Sequence, residues 1–539
     1  MKKSKFLLGL LSGVFLALSY PPYPFFLFSF VAFLPILSVF NQVKRKWLLV
    51  YLTFFIYHYA TNWWISSWQK DTDPYLFVSG FAVAFVHPLL FMFPFAVLHL
   101  VSNKVGWNKA IAMFPFIWVA FEWLHSLGDL AYPWLTIGYT QTYNHLWIQI
   151  SDIGGVWFVS FLILTINVLI YFGIEHYKKH SNDKIILLLK NKYSIAVVVL
   201  LILPYLYGFV RVNEFNFQKL IKNFDIVRVG IIQPNINPWR KWEADAATQV
   251  RIHLKVQDSL YKVVPNIDMF VWSETAITLF DLDVNAKHNF EIFHSFIPKD
   301  VGLLTGFADF RFLGQNEKPS FTTKYFFGDS TLAYETYNSI LLLNPDRTFE
   351  IYHKNRLTPF GEHIPYSQIL GFAKSFLEWN VGISSWAKGR EQNILELRTS
   401  KKRCKIAPII CIESIYPDYC RTFVKNGAEL LVIITNDGWY DYTFGPLQHY
   451  LIATVRAIET RRFVVRCANT GISGIIDPTG STLYRAPQYQ QIGIAGDISK
   501  LNYTTIYTIL GDFIPYISTG ITFLLLLFTL FKRKRNNNP

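Results

Sequence analysis

Residues 407–420 read APIICIESIYPDYC and contain two of the four cysteines of the chain. The apolar run that ends at Ile410 predicts a buried strand, and Cys411 follows it directly. Three interpretations of Cys411 are open here: a reactive nucleophile, one half of a disulfide, or a small buried apolar side chain. The rest of the chain has to decide among them.

The segment around this strand has the pattern of an α/β domain. Between residues 211 and 507, short apolar runs bounded by Gly, Pro, Asn and Asp alternate with helical stretches near 243–263 and 446–461. Such alternation predicts layers of helices and strands around one core. The runs predicted as strands are 226–236, 269–275, 302–308, 338–345, 406–413, 429–437, 462–469 and 473–480.

The two ends of the chain are far more apolar than the middle. Of the 539 residues, 52% are hydrophobic, and these are concentrated before residue 210 and after residue 508. Runs of roughly 17–25 apolar residues cross a bilayer as helices, and the candidates here lie near 5–20, 24–41, 48–67, 75–101, 108–126, 148–174, 193–210 and 508–531. We therefore expect a membrane domain of seven transmembrane helices over 1–210, a globular domain over 211–507, an eighth transmembrane helix over 508–531 and a basic tail over 532–539.

The positive charge of the chain fits a membrane topology. A net charge of +14 could indicate nucleic-acid binding, but the basic residues lie in short tracts beside the apolar runs. With the N-terminus in the cytoplasm, the tracts at 44–46, 104–109 and 178–192 also fall there, as the positive-inside rule requires. Both termini are then cytoplasmic and the globular domain is extracytoplasmic. The first run has no small-residue cleavage site, so we expect a retained helix rather than a signal peptide, and no nucleic-acid partner.

Polar side chains follow several of the predicted strands. Glu274, Lys354 and Cys411 each come just after an apolar or extended run, and Asn436 and Asp437 do the same. Open α/β sheets bind ligands at the carboxyl ends of their strands. A carboxylate, an ammonium and a thiol are the groups that acyl transfer through a thioester needs. The carboxylate takes the thiol proton, and the ammonium stabilises the oxyanion.

At these residues the sequence resembles a known superfamily. The motifs WSET with Glu274, YHKNRLTPFGEHIP with Lys354 and Glu362, and CIESIYP with Cys411 resemble the Glu–Lys–Cys motifs of the nitrilase superfamily. Residues 435–477 are similar to one membrane-bound branch, the apolipoprotein N-acyltransferases. That family places a nitrilase-like domain between the last two of eight transmembrane helices, so the resemblance covers nearly the whole chain. It implies an αββα sandwich whose active site faces the membrane.

The resemblance implies a role for each matching residue. Glu274 would be the general base and later the general acid, Cys411 the nucleophile and Lys354 the cation that stabilises the oxyanion. The backbone N–H of Ile412 would assist Lys354, and Glu362 matches a carboxylate that positions the lysine. The family commonly has an aromatic residue just after the nucleophile, whereas this chain has Ile412.

Further matches concern support of the site and binding of the substrate. Glu413 matches a family acidic residue beside the nucleophile. Trp242 matches a tryptophan implicated in substrate engagement, and a packing role suits it equally well. Phe376 and Trp379, in the stretch 366–382, are candidates for a lid that contacts lipid. The alternative for that stretch is an amphipathic helix packed on the domain.

The implied function is the last step of bacterial lipoprotein maturation. An acyl chain would pass from a membrane phospholipid to Cys411, and then to the N-terminal α-amine of an S-diacylglyceryl-cysteine apolipoprotein. The expected partners are these two substrates and the bilayer, with no metal and no cofactor. The expected state is a monomer, multi-pass in the cytoplasmic (inner) membrane of a bacterium, with its catalytic domain on the periplasmic side.

Two other functions use some of the same features. A membrane-tethered amidase of the nitrilase type would use the same three residues on a small C–N substrate, without needing eight helices. A non-catalytic scaffold would bind lipoproteins without needing the three residues at all. The disulfide state of Cys404, Cys420 and Cys467 is left open by the sequence.

Overall fold

The chain forms two compact units. The computed structural model describes residues 2–66, 74–179, 191–241, 246–280, 291, 294–295, 297–314, 316–326, 329–366 and 386–531. Contacts divide the chain into a first unit drawn from 1–66, 77–213 and 510–539 and a second unit drawn from 67–76 and 214–509.

The first unit is helical because a helix satisfies the backbone N–H and C=O groups of a long apolar run within the run itself. A proline in the first turn starts several of the helices, where its missing N–H costs nothing. The long helix α9 is interrupted at Gly154 and Gly155, whose backbone angles are not helical. The described helices are α1 Lys2–Ser19, α2 Leu34–Val39, α3 Lys46–Asn62, α4 Pro74–Phe85, α5 His87–Leu90, α6 Phe93–Val105, α7 Trp107–Ala112, α8 Phe114–His125, α9 Ser151–Lys179, α10 Lys192–Glu214 and, near the C-terminus, α16 Phe513–Phe531.

Four of the eight predicted membrane spans coincide with described helices that are long enough to cross a bilayer. Within the described residues, four helical stretches are long and apolar enough to cross a bilayer: Leu76–Val105, Trp147–Lys179, Lys192–Asn223 and Phe513–Phe531. They correspond to the predicted runs 75–101, 148–174, 193–210 and 508–531. Large apolar side chains on α16 are exposed, among them Leu524 at 64% and Leu530 at 77%. Such exposure suits a helix surrounded by lipid.

Two buried aspartates of the first unit are paired with other polar side chains. Asp512 accepts hydrogen bonds from the indole N–H groups of Trp123 and Trp157, at 3.0 and 3.1 Å. Asp152 forms an ion pair with Arg211 at 2.9 Å. Charged groups among apolar helices are expected to face inward and find partners, so these contacts fix how the helices of this unit pack.

In the part of the chain that the structure describes, the second unit contains two sheets. The larger has the strand order β14-β1-β2-β4-β6-β5, with β3 paired to β4 and β7 paired to β6, and the smaller has the order β13-β12-β11-β10-β9-β8. The strands are β1 Ile226–Gln233, β2 Met269–Trp272, β3 Ile277–Phe280, β4 Gly302–Phe312, β5 Lys324–Phe326, β6 Asp329–Leu343, β7 Phe349–His353, β8 Leu395–Arg398, β9 Arg403–Ile410, β10 Leu430–Thr435, β11 Val464–Ala468, β12 Gly474–Ile476, β13 Thr482–Arg485 and β14 Ile492–Ser499.

The two sheets face one another and are covered by helices on their outer sides. The thiol of Cys467 on β11 contacts the carbonyl oxygens of Ile232 on β1 and Val271 on β2, at 3.2 and 3.3 Å. Helix α12 (Ala246–Val263) packs on β1 and β14, while α13 (Pro417–Lys425) and α14 (Gly445–Thr460) pack on the smaller sheet. This is the predicted layered α/β domain. The short helices α11 Phe217–Asn223 and α15 Ile506–Leu510 flank it in the chain.

Parallel strands bring the predicted polar side chains to the same ends of the sheets. Strands β1, β2 and β4 run parallel in the larger sheet, and β9, β10 and β11 run parallel in the smaller one. Glu274 follows β2, Cys411 follows β9 and Asp437 follows β10. The carboxyl ends of these strands are therefore where the candidate site is found.

Candidate active site

Cys411 lies at a sharp turn between a strand and a short helix. Strand β9 ends at Ile410, and Cys411 begins a 3₁₀ helix over Cys411–Ile415 with a φ of +48°. All four cysteines are free thiols, so no disulfide involves Cys411. The side chain of Cys411 is partly exposed, whereas Cys404, Cys420 and Cys467 are buried. Of the three interpretations of Cys411, the disulfide is excluded.

Glu274, Lys354 and Glu362 form one buried cluster. The Lys354 ammonium lies 2.8 Å from Oε1 of Glu362 and 3.4 Å from Oε1 of Glu274. The amide of Asn338 donates to the same two oxygens, at 2.9 and 2.8 Å. The other oxygen of Glu362 accepts from the backbone N–H of Thr358 at 2.7 Å. Two carboxylates therefore share one lysine and one amide.

The backbone around Glu274 is held closely from two sides. Lys241 is buried and donates to the carbonyl of Glu274 at 2.9 Å and to the hydroxyl of Thr275 at 2.6 Å. Thr275 has a positive φ of +46°. Gly306 on β4 lies so close that a Cβ there would meet the Thr275 nitrogen at 2.5 Å, so only glycine permits this approach. The carboxylate thus projects from a tightly fixed turn.

The charges of the cluster act on one another and on the thiol. Burial acts to lower the pKa of Lys354, but the carboxylates of Glu362 and Glu274 outweigh it and raise that pKa. Burial likewise acts to raise the pKa of Glu362, and Lys354 outweighs it and lowers that pKa. Burial and the charge of Glu274 raise the pKa of Cys411, although Lys354 opposes them. The Cys411 thiol therefore holds its proton more tightly than an ordinary cysteine does, next to the charges of Glu274 and Lys354.

Glu413 ties the turn at Cys411 to the loop that carries Lys354. Its Oε2 accepts from the N–H of Ile410 at 2.8 Å. Its Oε1 accepts from the N–H groups of Asn355 and Arg356, at 2.7 and 3.1 Å, and from the hydroxyl of Tyr352 at 2.6 Å. Because one carboxylate holds both loops, the distance between Cys411 and Lys354 is fixed by Glu413.

A second polar cluster lies beside Cys411 and is formed by Asp437, His449 and Arg466. Donor atoms of Cys411, Asp437 and His449 lie within 4.8 Å of one another, a sulfur, oxygen and nitrogen set that Zn²⁺ accepts. Arg466 contacts Asp437 at 2.7 Å, and the positive charge neutralises the carboxylate that a metal ion would need. Burial acts to raise the pKa of Asp437, but Arg466 and His449 outweigh it and lower that pKa.

The structure brings together the three residues expected to react. Glu274 and Lys354 contact each other, and the charges of both act on Cys411. Glu362 contacts Lys354, and Glu413 contacts the backbone just before Cys411. The predicted substrate contacts Trp242, Phe376 and Trp379 lie outside the described residues.

Sequence reasoning missed several residues of the site. Asn338 lies inside an apolar strand, where an amide is unusual and could have been noticed. Lys241 acts on the site through the backbone carbonyl of Glu274, and Tyr352 acts through the carboxylate of Glu413. Neither residue stands at the end of a predicted strand, so the sequence pattern did not mark them. His449 lies within a predicted helix, and the only indication in the sequence is a polar side chain on an otherwise apolar face of that helix.

Known proteins share both units of this chain. Residues 12–169 match the family described as Apolipoprotein N-acyltransferase N-terminal domain, and residues 228–500 match the family described as Carbon-nitrogen hydrolase. An apolipoprotein N-acyltransferase of Chlorobaculum tepidum is 32% identical over 98% of this chain and 97% of its own length. One of Geobacter metallireducens is 28% identical over 94% of this chain and 92% of its own length.

Solved structures also show similarity to part of this chain. Nit3 of Saccharomyces cerevisiae, a member of branch 10 of the nitrilase superfamily, covers 57% of this chain and 97% of its own chain, with 14% identity and a TM-score of 0.36. The matches in sequence are the stronger ones, since they extend over the apolar helices and the α/β unit in the same order. The chain therefore belongs to the apolipoprotein N-acyltransferase family and carries a carbon–nitrogen hydrolase domain.

Proposed function

We propose that this protein transfers a fatty acyl chain from a membrane phospholipid to the N-terminal α-amine of S-diacylglyceryl-cysteine apolipoproteins. The observation that carries the proposal is a free, partly exposed thiol beside a buried lysine and two carboxylates, in a chain with long apolar helices. Family membership over nearly the whole chain supports the same function. Both substrates are lipids, which accounts for the apolar helices attached to the hydrolase domain.

In the first half-reaction Cys411 takes the acyl chain. Glu274 removes the thiol proton as sulfur attacks the ester carbonyl of the phospholipid. The Lys354 ammonium and the N–H of Ile412 stabilise the oxyanion of the tetrahedral intermediate. As the intermediate collapses, the carbon–oxygen bond of the ester breaks and Glu274 gives its proton to the leaving alkoxide. The products are a lysophospholipid and a thioester on Cys411.

In the second half-reaction the acyl chain passes to nitrogen. The neutral α-amine of the diacylglyceryl cysteine attacks the thioester, and Glu274 takes the proton that the nitrogen loses. The carbon–sulfur bond breaks, and the same proton returns to the sulfur of Cys411. An amide and the starting enzyme result, and the cycle needs neither metal nor cofactor.

Glu362 and Glu413 support this chemistry from outside the reacting atoms. Glu362 keeps Lys354 charged and in place, because it forms the shorter of the two contacts with the ammonium. Glu413 fixes the turn at Cys411 relative to Lys354 through hydrogen bonds with both loops. We propose a substrate-binding role for Trp242 from the family resemblance, and for Phe376 and Trp379 because their apolar stretch is predicted as a lid that contacts lipid.

We further propose the complete topology that the basic tracts support. Seven helices over 1–210 and an eighth over 508–531 would cross the membrane, with the domain 211–507 outside and the tail 532–539 in the cytoplasm. Four long apolar helices and the positions of the Lys and Arg tracts favour it. The protein would act as a monomer in a bacterial cytoplasmic membrane with the catalytic domain on the periplasmic side.

Mass spectrometry of Cys411 tests the proposal. The purified protein is incubated with vesicles of a phospholipid of defined acyl chains, and the peptide that contains Cys411 is weighed. We expect a gain of one fatty acyl group in the wild type and none in Cys411→Ala. Cys420→Ala is the matched control, since that thiol is buried, and it should be acylated like the wild type. An unmodified Cys411, together with hydrolysis of small amides, would favour the amidase instead.

A further inference from the structure

The peptide bond between Cys411 and Ile412 is held by two side chains at its carbonyl oxygen. The hydroxyl of Ser414 donates to the Cys411 carbonyl at 2.8 Å, and His449 Nε2 lies 3.1 Å from the same oxygen. A carbonyl oxygen can only accept, so the contact is a hydrogen bond in the tautomer with the proton on Nε2, in which Nδ1 accepts from Arg466. His449 Nε2 and Ser414 Oγ are also 2.8 Å apart. The Nε2 proton therefore lies between the carbonyl oxygen and Oγ, and the Ser414 proton goes to the carbonyl.

The ring of His449 is itself fixed from its other nitrogen. Asp437 Oδ1 lies 2.9 Å from Nδ1, and Arg466 contacts Asp437 at 2.7 Å and Nδ1 at 3.1 Å. Asp437, His449 and Arg466 are 4%, 3% and 0% exposed. They come from three elements: the end of β10, helix α14 and strand β11. Because both ring nitrogens have contacts and the ring is buried, the ring of His449 is held in one orientation. The proposed proton transfers use none of these three residues.

Fixing the carbonyl also fixes the N–H on the same peptide. A trans peptide is planar, so its C=O and N–H point in opposite directions. Holding the Cys411 oxygen toward His449 turns the N–H of Ile412 to the opposite side. Cys411 has a φ of +48°, a conformation that is strained for a non-glycine residue and persists only where neighbours hold it. Without the two donors the peptide is free to flip and the N–H donor is lost.

We propose that His449, backed by Asp437 and Arg466, is a positioning residue that keeps the N–H of Ile412 aimed at the oxyanion. The inference rests on the proposed function, because it requires an acyl ester attacked by Cys411. It assigns His449 no part in removing the thiol proton, which remains the task of Glu274. Its effect is therefore on the tetrahedral intermediate and not on the nucleophilicity of sulfur.

Two reactions of the same thiol separate these effects. Acylation by phospholipid vesicles passes through an oxyanion, whereas alkylation by iodoacetamide does not, since sulfur displaces iodide at a saturated carbon. Both rates are measured at Cys411 by mass spectrometry in wild type, His449→Leu, His449→Gln and Ser414→Ala. His294→Leu, a change at a histidine outside the site, is the matched control. Folding is checked by thermal unfolding, and His449→Gln and Ser414→Ala carry the test if His449→Leu does not fold.

We expect acylation in His449→Leu to fall by about 10²–10³-fold, as when one oxyanion donor is removed, while alkylation keeps its wild-type rate. His449→Gln should recover part of the acylation because its side-chain N–H still reaches the carbonyl, and Ser414→Ala should lose less. Equal loss of both reactions would overturn the inference, and so would unchanged acylation in a folded His449→Leu. Wild type that is alkylated but never acylated would overturn the proposed function as well.

Discussion

The ammonium of Lys354 lies 2.8 Å from the carboxylate of Glu362, and the two residues are 1% and 8% exposed. Glu274 lies farther from the same ammonium, at 3.4 Å. Glu362 is therefore the principal ion-pair partner of the lysine, which leaves Glu274 the more loosely held of the two carboxylates. This asymmetry lets one carboxylate anchor the cation while the other exchanges protons.

Glu362→Gln is expected to destabilise the fold. Removing one partner of a buried ion pair costs about 3–5 kcal/mol, and Glu274 offsets part of this because it also contacts Lys354. We expect a loss near the lower end, measured as a shift in thermal unfolding. The control is Glu317→Gln, whose ion pair with Arg311 lies at the surface and should contribute little to stability. Equal shifts in the two variants would contradict the account.

The same pair predicts a loss of stability in acid. The pKa of Glu362 is lower in the folded protein than its ordinary value of 4.5. Stability from this group is present above pH 4.5 and is lost as pH falls through the lower folded pKa. Urea unfolding of wild type and Glu362→Gln from neutral pH down to about pH 2 should give curves that stay apart above pH 4.5 and converge below it. A constant difference would be the contrary result.

Glu274→Gln is expected to slow both reactions of Cys411. Burial and the charge of Glu274 raise the pKa of the Cys411 thiol, so the sulfur needs a base before it can react. Acylation by phospholipid should fall by about 10²–10⁴-fold, because the general base is lost, and alkylation by iodoacetamide should fall with it. Wild-type rates in a Glu274→Gln variant that folds, as judged by thermal unfolding, would show that Glu274 is not the base.

Glu413→Gln is expected to loosen both loops of the site. The carboxylate accepts on both oxygens, so an amide in its place must turn its NH₂ toward a backbone donor at Ile410 or Asn355. An unsatisfied buried donor costs about 1–3 kcal/mol. We expect a lower Tm and a lower kcat at unchanged KM. Tyr352→Phe removes only one donor to the carboxylate, so its Tm and its kcat should both fall less than those of Glu413→Gln. A larger fall in Tyr352→Phe would show that Glu413 does not hold the two loops.

Lys241 predicts a stability that rises with pH. Burial lowers its pKa to about 7 from an ordinary value of 10.5, so between these values the unfolded chain binds the proton more tightly. Stability then rises with pH across that window, by up to about 1.4 kcal/mol for each pH unit. Thermal unfolding of Lys241→Met should lack this rise, while Lys255→Met, an exposed change on α12, should keep it. Parallel curves for wild type and Lys241→Met would contradict the assignment.

The sequence predicted the groups that stand at strand ends and missed those placed by sheet pairing and helix packing. Glu274 and Cys411 follow buried parallel strands, so their position could be inferred from the apolar runs alone. Asn338 lies within β6, and its place between two carboxylates follows from the pairing of β6 with β7, where its carbonyl accepts from the N–H of Lys354 at 2.8 Å. β6 and β7 are consecutive in the chain, but Glu274 lies 64 residues before Asn338, and no local pattern specifies that the two meet.

His449 illustrates the second kind of limit. A helix near 446–461 was predicted, and α14 extends over Gly445–Thr460. Which of its residues meets the turn at Cys411 depends on how the helix packs on the smaller sheet, and hydrophobic periodicity does not specify this. In the first unit, short helices and 3₁₀ turns interrupt several apolar runs, so the runs predicted more long helices than the described residues contain.

Transfer from an isolated acyl-enzyme shows whether the acyl chain on Cys411 passes to the α-amine of the lipopeptide. Protein acylated on Cys411 by phospholipid vesicles is freed of lipid and mixed with a peptide that begins with S-diacylglyceryl cysteine. The account predicts that the thioester on Cys411 disappears as an equal amount of peptide gains one acyl group on its α-amine. A thioester that persists with the peptide, or that is lost only as free fatty acid, would contradict it.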